Sequence, residues 1–212
     1  MKRSLLAALL YCACAAAPTR AEVLFNNFAP GDGYQADAGW IIGRFPGTAT
    51  TFVQGDAFRV AGGDFTLSSV AVALGHSFGP NAVDVQFRAD AAGLPGAVLE
   101  AWHFENLGEF GVLNPPVVAD SVLHPLLSDG EQYWVTASAS DVSEMVWNLN
   151  STGDRGPQAF SEDGSPFQAY TDSDGAFRVV GAAVPEPATL TLLGVGALGL
   201  LGYSWRRRLL AA

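Results

Sequence analysis

The sequence predicts a mainly β fold: an antiparallel β-sandwich, with a jelly roll as its candidate topology, flanked by an N-terminal signal peptide and a C-terminal transmembrane helix. Three observations lead there. Short apolar runs alternate with turn residues between 22 and 183, no ten-residue window in that region carries a helical stripe, and each end of the chain has an uncharged apolar stretch beside basic residues. Many short strands without intervening helices are what a two-layer β domain is built from.

The N-terminal element is Lys2 and Arg3, then an apolar stretch over 5–11, then small residues over 12–17. Basic, apolar and small regions in that order make a secretory signal. It occupies 1–21, with signal peptidase cutting after Ala17 or Ala21. Lipidation is disfavoured, because Tyr11 is too large to precede a modified Cys12 and Ala13 before Cys14 is itself preceded by Cys12. Both cysteines lie inside the signal, so the exported chain has no disulfide and depends on its core for stability.

Within 22–183, Val83, Val85 and Phe87 alternate with Asp84, Gln86 and Arg88, the period-two pattern of a half-buried strand. Similar runs occupy 23–25, 50–53, 65–74, 98–104, 132–138, 145–149 and 177–180. Turn residues separate them at 61–64, 79–81, 94–96, 114–116 and 129–130. Two stretches rich in Gly, Asp, Ser and Thr, 29–39 and 150–165, read as long loops and as the place for any functional chemistry. The region holds 20 acidic residues against five arginines and no lysine, a net charge of −15. Such a surface repels phosphate backbones and excludes nucleic acid as a partner.

Chemistry-bearing patterns are sparse. His76, His103 and His124 lack the spacing that sets two ligands on one face, so zinc is not expected. No thiol nucleophile exists in the exported chain, and no Gly-x-Ser-x-Gly or Ser-x-x-Lys motif supplies a serine one. Carboxylates are too numerous for their count to indicate a glycosidase. The sequence therefore predicts a protein that is not an enzyme and that needs no cofactor. Calcium is a minor option at Asp32-Gly33 and Asp172-Ser173-Asp174-Gly175, although Gly181 stands where a calcium loop of the EF-hand type needs glutamate. Neighbouring Tyr133 and Trp134 must point to opposite faces of a strand, so Trp134 is a candidate for stacking on a sugar. Tyr170 is a second glycan candidate; Tyr34 and Trp40, with the amides of Asn148 and Asn150, offer similar chemistry, while Trp147 reads as core.

The tail, 184–212, carries no charge from 188 to 205 and ends in Arg206, Arg207 and Arg208. A helix over that span is about 27 Å long, close to the roughly 30 Å hydrocarbon core of a membrane. The arginines act as a membrane stop and hold the C-terminus inside. Pro185 and Pro187 block helix upstream, and Glu186 faces the positive end of the helix dipole. Val184-Pro185-Glu186-Pro187, the apolar helix and the arginine cluster together resemble the PEP-CTERM sorting signal. That resemblance implies recognition by an exosortase-type enzyme, and an inner-membrane-anchored precursor later moved to the cell surface or extracellular matrix.

The region 22–180 also resembles the choice-of-anchor R type of surface domain. The likeness rests on Asn26-Asn27-Phe28 with Gly31-Asp32-Gly33-Tyr34, Gly93-Leu94-Pro95-Gly96, His124-Pro125-Leu126-Leu127 leading into Tyr133-Trp134, and Trp147-Asn148-Leu149-Asn150-Ser151-Thr152-Gly153. It implies a β-rich surface domain without an assigned activity. The expected function is thus a structural or adhesive surface protein. The alternatives are a carbohydrate-binding module for exopolysaccharide and a hydrolase working through a carboxylate pair.

Overall fold

The computed structural model describes residues 21–44, 47–140, 142–184 and 187–209. The signal-peptide reading of 1–20 and the motif residues Pro185 and Glu186 lie outside the described residues. Ala21–Ala183 form one compact unit, and the tail is a second.

Among the described residues the domain is all strand and turn. The strands are β1 (Ala21–Asn26), β2 (Tyr34–Arg44), β3 (Thr51–Arg59), β4 (Phe65–Val72), β5 (Leu74–Phe78), β6 (Ala82–Asp90) and β7 (Pro95–Glu105). They continue with β8 (Val117–Asp120), β9 (Leu126–Leu127), β10 (Gln132–Ser138), β11 (Glu144–Asn150), β12 (Gln158–Glu162), β13 (Gln168–Tyr170) and β14 (Phe177–Ala183). The smaller sheet runs β1-β14-β4-β8, with β9 also on β4; the larger runs β5-β11-β2-β3-β10-β6-β7, with β12 on β3 and β13 on β12. All strand pairings are antiparallel. Among the described residues the two antiparallel sheets thus hold five and nine strands.

One core joins the two sheets. Phe65, Leu67, Val70, Val72, Phe177 and Val179 of the smaller sheet pack with Ile42, Phe58, Val85, Phe87, Val135 and Trp147 of the larger. Aromatic contacts cross the interface: Phe177 meets Trp147 edge-on at 6.0 Å and Phe58 edge-on at 6.4 Å. Trp147 is fully buried, as its position between Met145 and Leu149 predicted, and its indole N–H donates to Ala176 O at 3.1 Å.

Two expectations change. The run 65–74 is two strands in different sheets. At Ala73, between them, the N–H bonds Ala176 O at 3.0 Å while the carbonyl accepts from Asn148 N at 2.9 Å, so the chain passes from one sheet to the other there. The predicted loops also contain strands: β2 starts at Tyr34, and β12 lies inside 150–165. β2 hides its period because Gly39 sits directly against Val146 and the Trp147 backbone, where any side chain would collide.

The tail forms a helix, α1 (Pro187–Leu209). Among the described residues, however, no helix is long and apolar enough to cross a membrane. An uncharged stretch is not the same as an apolar one. Thr189 and Thr191 at one end and Tyr203-Ser204-Trp205 at the other leave an unbroken aliphatic and glycine run over 192–202, about 16 Å at 1.5 Å per residue. That is near half of a ~30 Å hydrocarbon core. The expected transmembrane helix is therefore not supported; Arg206, Arg207 and Arg208 lie in the last turn of α1.

Candidate functional site

The most site-like feature of the β domain is an aromatic hollow on the larger sheet. Along β3, Phe52, Gln54, Asp56 and Phe58 share one face by strand alternation. At Phe58 that face enters the main core, whereas at Phe52 and Gln54 it borders the hollow. β12 pairs with β3 so that Gln158 lies opposite Asp56, Phe160 opposite Gln54 and Glu162 opposite Phe52. β13 then places Tyr170 beside Gln158. Trp40 and Ile41 of β2 complete the walls of a hollow of about 480 Å³.

The rings hold one another. Tyr170 meets Trp40 at 5.6 Å and 84°, and Phe160 at 5.4 Å and 77°, so both neighbours stand nearly perpendicular to it. The Tyr170 hydroxyl donates to Gln54 Oε1 at 3.1 Å, Gln54 Nε2 donates to Ile41 O at 3.2 Å, and the Trp40 indole donates to Ser173 O at 2.9 Å. The polar atoms of the walls are thus already engaged, and the hollow presents ring and aliphatic surface.

Behind Tyr170 lies a buried polar cluster. Asp56 is 2% exposed; its Oδ1 accepts from Gln158 Nε2 and its Oδ2 from Gly175 N, both at 2.9 Å. Gln158 also donates to Ser173 O at 2.8 Å and accepts from Asp172 N at 2.8 Å. Asp174, 1% exposed, accepts from Gly156 N at 2.7 Å. Burial, aided by the Asp174 charge, pushes the Asp56 carboxyl well above the usual carboxylate range against its two hydrogen bonds. Burial and the neighbouring Asp154 push Asp174 up to about 6, again against its backbone hydrogen bond. Burial, with the charges of Asp56, Asp172 and Asp174, likewise raises the Tyr170 phenol. The cluster ties the 172–175 segment to β3 and β12, and neither Asp56 nor Asp174 lines the hollow.

The glycan candidates separate cleanly. Trp134 is fully buried, packed with Ala57, Ala159, Leu94 and Phe167 on the sheet face opposite Tyr133, and its indole donates to Asp90 Oδ1 at 2.8 Å. It has no surface to offer a sugar, and that assignment is withdrawn. The cause is cover that the strand pattern does not reveal: Leu94 and Phe167 come from distant turns, and the Arg88 guanidinium lies 5.6 Å from the Phe167 ring. Tyr34 is also buried, with its hydroxyl donating to Asn114 O at 3.0 Å. Asn148 and Asn150 are 2% and 1% exposed and serve backbone carbonyls. Tyr170 and Trp40 remain, now joined by Phe52, Gln54 and Phe160; Phe160 lies inside the 150–165 stretch and Phe52 in the 50–53 strand run, and nothing in the local sequence linked them to Trp40.

The calcium candidates are otherwise engaged. Asp32 Oδ1 pairs with Arg178 Nη1 at 2.7 Å, and Asp172 Oδ1 accepts from Ser173 N at 2.8 Å. Among the described residues no group of three or more His, Cys, Asp and Glu could hold a metal ion. The histidines bond separate partners: His76 with Gly79 O, His103 with Asp84, and His124 with Leu67 O.

The tail has its own geometry. β14 ends at Ala183, α1 begins at Pro187, and the proline-rich motif fills the interval between them. Residues 183–208 match the PEP-CTERM protein-sorting motif. The chain therefore carries a signal for export and sorting to the cell surface. No curated protein matches the sequence. Among solved structures, the chain is similar to the cysteine protease and lectin-like domains of Cwp84, a surface layer associated protein of Clostridium difficile, at 8% identity and a TM-score of 0.45. The match covers 65% of this chain and 33% of that one, and a likeness that weak supports no argument about function.

Proposed function

We propose that this is a non-enzymatic surface or extracellular-matrix protein with a structural or adhesive role, freed from its signal by signal peptidase and handed by its tail to an exosortase-type enzyme. The observation that carries the reading is the junction. The PEP-CTERM match begins at Ala183, the last residue of the last strand, so a cut just beyond it detaches the tail and leaves every strand of the domain in place. The resemblance to choice-of-anchor R domains agrees with such a role. Asp56 and Asp174 are the pair a hydrolase reading would need, but Asp56 spends both oxygens, and Asp174 one, on internal hydrogen bonds. The test is the intact mass of the protein recovered from the cell surface and medium, with and without an active exosortase. A product ending near 184–187 only when the enzyme is present supports sorting; a chain that always runs to Ala212 overturns it.

The aromatic hollow favours a second reading, carbohydrate binding. Half-buried aromatic rings lining a hollow of ligand size are the kind of surface on which sugar rings stack. Retention of the protein on exopolysaccharide, lost on Trp40→Ala, supports this; no retention by the intact protein refutes it.

A further inference from the structure

We propose that the hollow between β2, β3, β12 and β13 takes an ammonium-bearing sugar, a residue of an amino-sugar polymer with free amines, held against Trp40, Phe160 and Tyr170. The inference rests on the carbohydrate reading and adds the charge of the ligand. Four aromatic rings, those of Trp40, Phe52, Phe160 and Tyr170, line the hollow, and none of its lining residues is a cation. Aromatic faces carry negative potential and attract ammonium groups.

Charge around the hollow has one sign. Behind it stands Asp172, two residues from Tyr170 and bonded through its amide to Gln158, close enough to help hold the Tyr170 proton more tightly. At its mouth Glu162, opposite Phe52 and on the same side of β12 as Phe160, is exposed. The nearest basic side chain in sequence, Arg44, turns its guanidinium to Thr48 O at 2.7 Å. An anionic polymer finds no counter-charge here, and a neutral one gains nothing from the carboxylates. A protonated amine gains from both the rings and the charges. The volume of about 480 Å³ lies within the range of roughly 300–1,000 Å³ usual for small-ligand sites.

The experiment is calorimetric titration of the exported protein, at about pH 5.5, low enough to protonate the sugar amines while ordinary carboxylates stay ionised, and at physiological salt, with four probes: the β-1,4-linked glucosamine hexasaccharide, its fully N-acetylated form, cellohexaose and hexalysine. The glucosamine oligomer is expected to bind at least tenfold more tightly than the other three. Trp40→Ala should weaken it about tenfold, and Glu162→Gln, a surface change that leaves the fold intact, a few-fold. Phe160→Leu keeps most of the volume while removing a ring face, so its loss of affinity guards against a Trp40 variant that fails to fold. Equal binding of the acetylated and glucose oligomers overturns the ammonium preference and leaves the carbohydrate reading standing. Absence of binding by all three saccharides overturns both. Hexalysine binding as tightly as the glucosamine oligomer, insensitive to Trp40→Ala, marks general attraction to an acidic surface and also overturns the proposal.

Discussion

Asp174→Asn should stabilise the protein at neutral pH and remove much of its pH dependence. Asp174 is 1% exposed, and its carboxyl is raised from an ordinary 3.8 to about 6 by burial and by Asp154. A raised carboxylate pKa means that the folded state resists ionisation. Its stability is fully present below about pH 4, where the group is protonated folded or unfolded, and is lost as pH rises through about 6. The whole difference corresponds to about 3 kcal/mol at most, and solvent screening reduces it to roughly 1–2 kcal/mol. Asparagine keeps the acceptor for Gly156 N without the charge. At about 2–4 °C per kcal/mol for a domain of this size, the variant should melt roughly 2–8 °C higher at pH 8 and no higher at pH 4. Thermal melts followed by circular dichroism across that range decide it. A variant that gains nothing between pH 4 and pH 8, or that melts lower at pH 8, refutes the account of Asp174 as an unfavourable buried charge.

Three further outcomes follow from the same structure. Trp134→Ala removes a fully buried indole from its packing with Leu94 and Phe167 and should cost about 3–5 kcal/mol, read as a melting point roughly 10 °C lower. Burial alone would raise the Glu100 carboxyl, but hydrogen bonds from the Ser121 hydroxyl and the Val122 and Leu123 amides outweigh it and hold the group below its usual range. Its contribution is therefore present above the ordinary carboxylate pKa and lost as pH falls, and Glu100→Ala should open the exposed Val122–Leu123 turn to limited proteolysis at neutral pH. Ending the chain after Ala183 should leave the melting point of the domain unchanged. Ending it after Ala176 should abolish cooperative unfolding, because β14 pairs with both β1 and β4 and places Phe177 and Val179 in the core.

What could be read in advance depended on whether the controlling contacts were local. Strands β6, β10 and β11 carry half-buried or fully buried runs bounded by turns, and their positions were legible to within a residue or two. The 65–74 run was legible as strand, but not as two strands. Residues from Val70 to Gly75 are all buried, so nothing in the hydrophobic pattern marks Ala73 as the crossing between sheets. β2 was illegible because Gly39 answers to Val146 and Trp147, more than a hundred residues away.

The same distinction separates the sorting tail from the hollow. The tail is a linear string, 183–208, meant to be recognised as a string, so its letters suffice. Its hydropathy was overread only where absence of charge was taken for apolarity, a matter of the polar residues at the two ends of α1. The hollow exists because three pairings, β2 with β3, β3 with β12 and β12 with β13, bring Trp40 and Tyr170 to 5.6 Å across 130 residues of chain. Trp134 and Trp40 lie alike in strands, and local sequence ranks Trp134 the better glycan residue. Long-range packing reverses that order: loops from either side close over Trp134, while Trp40 is left bordering open space. An aromatic residue on a strand therefore becomes evidence for binding only when the segment covering its face is known.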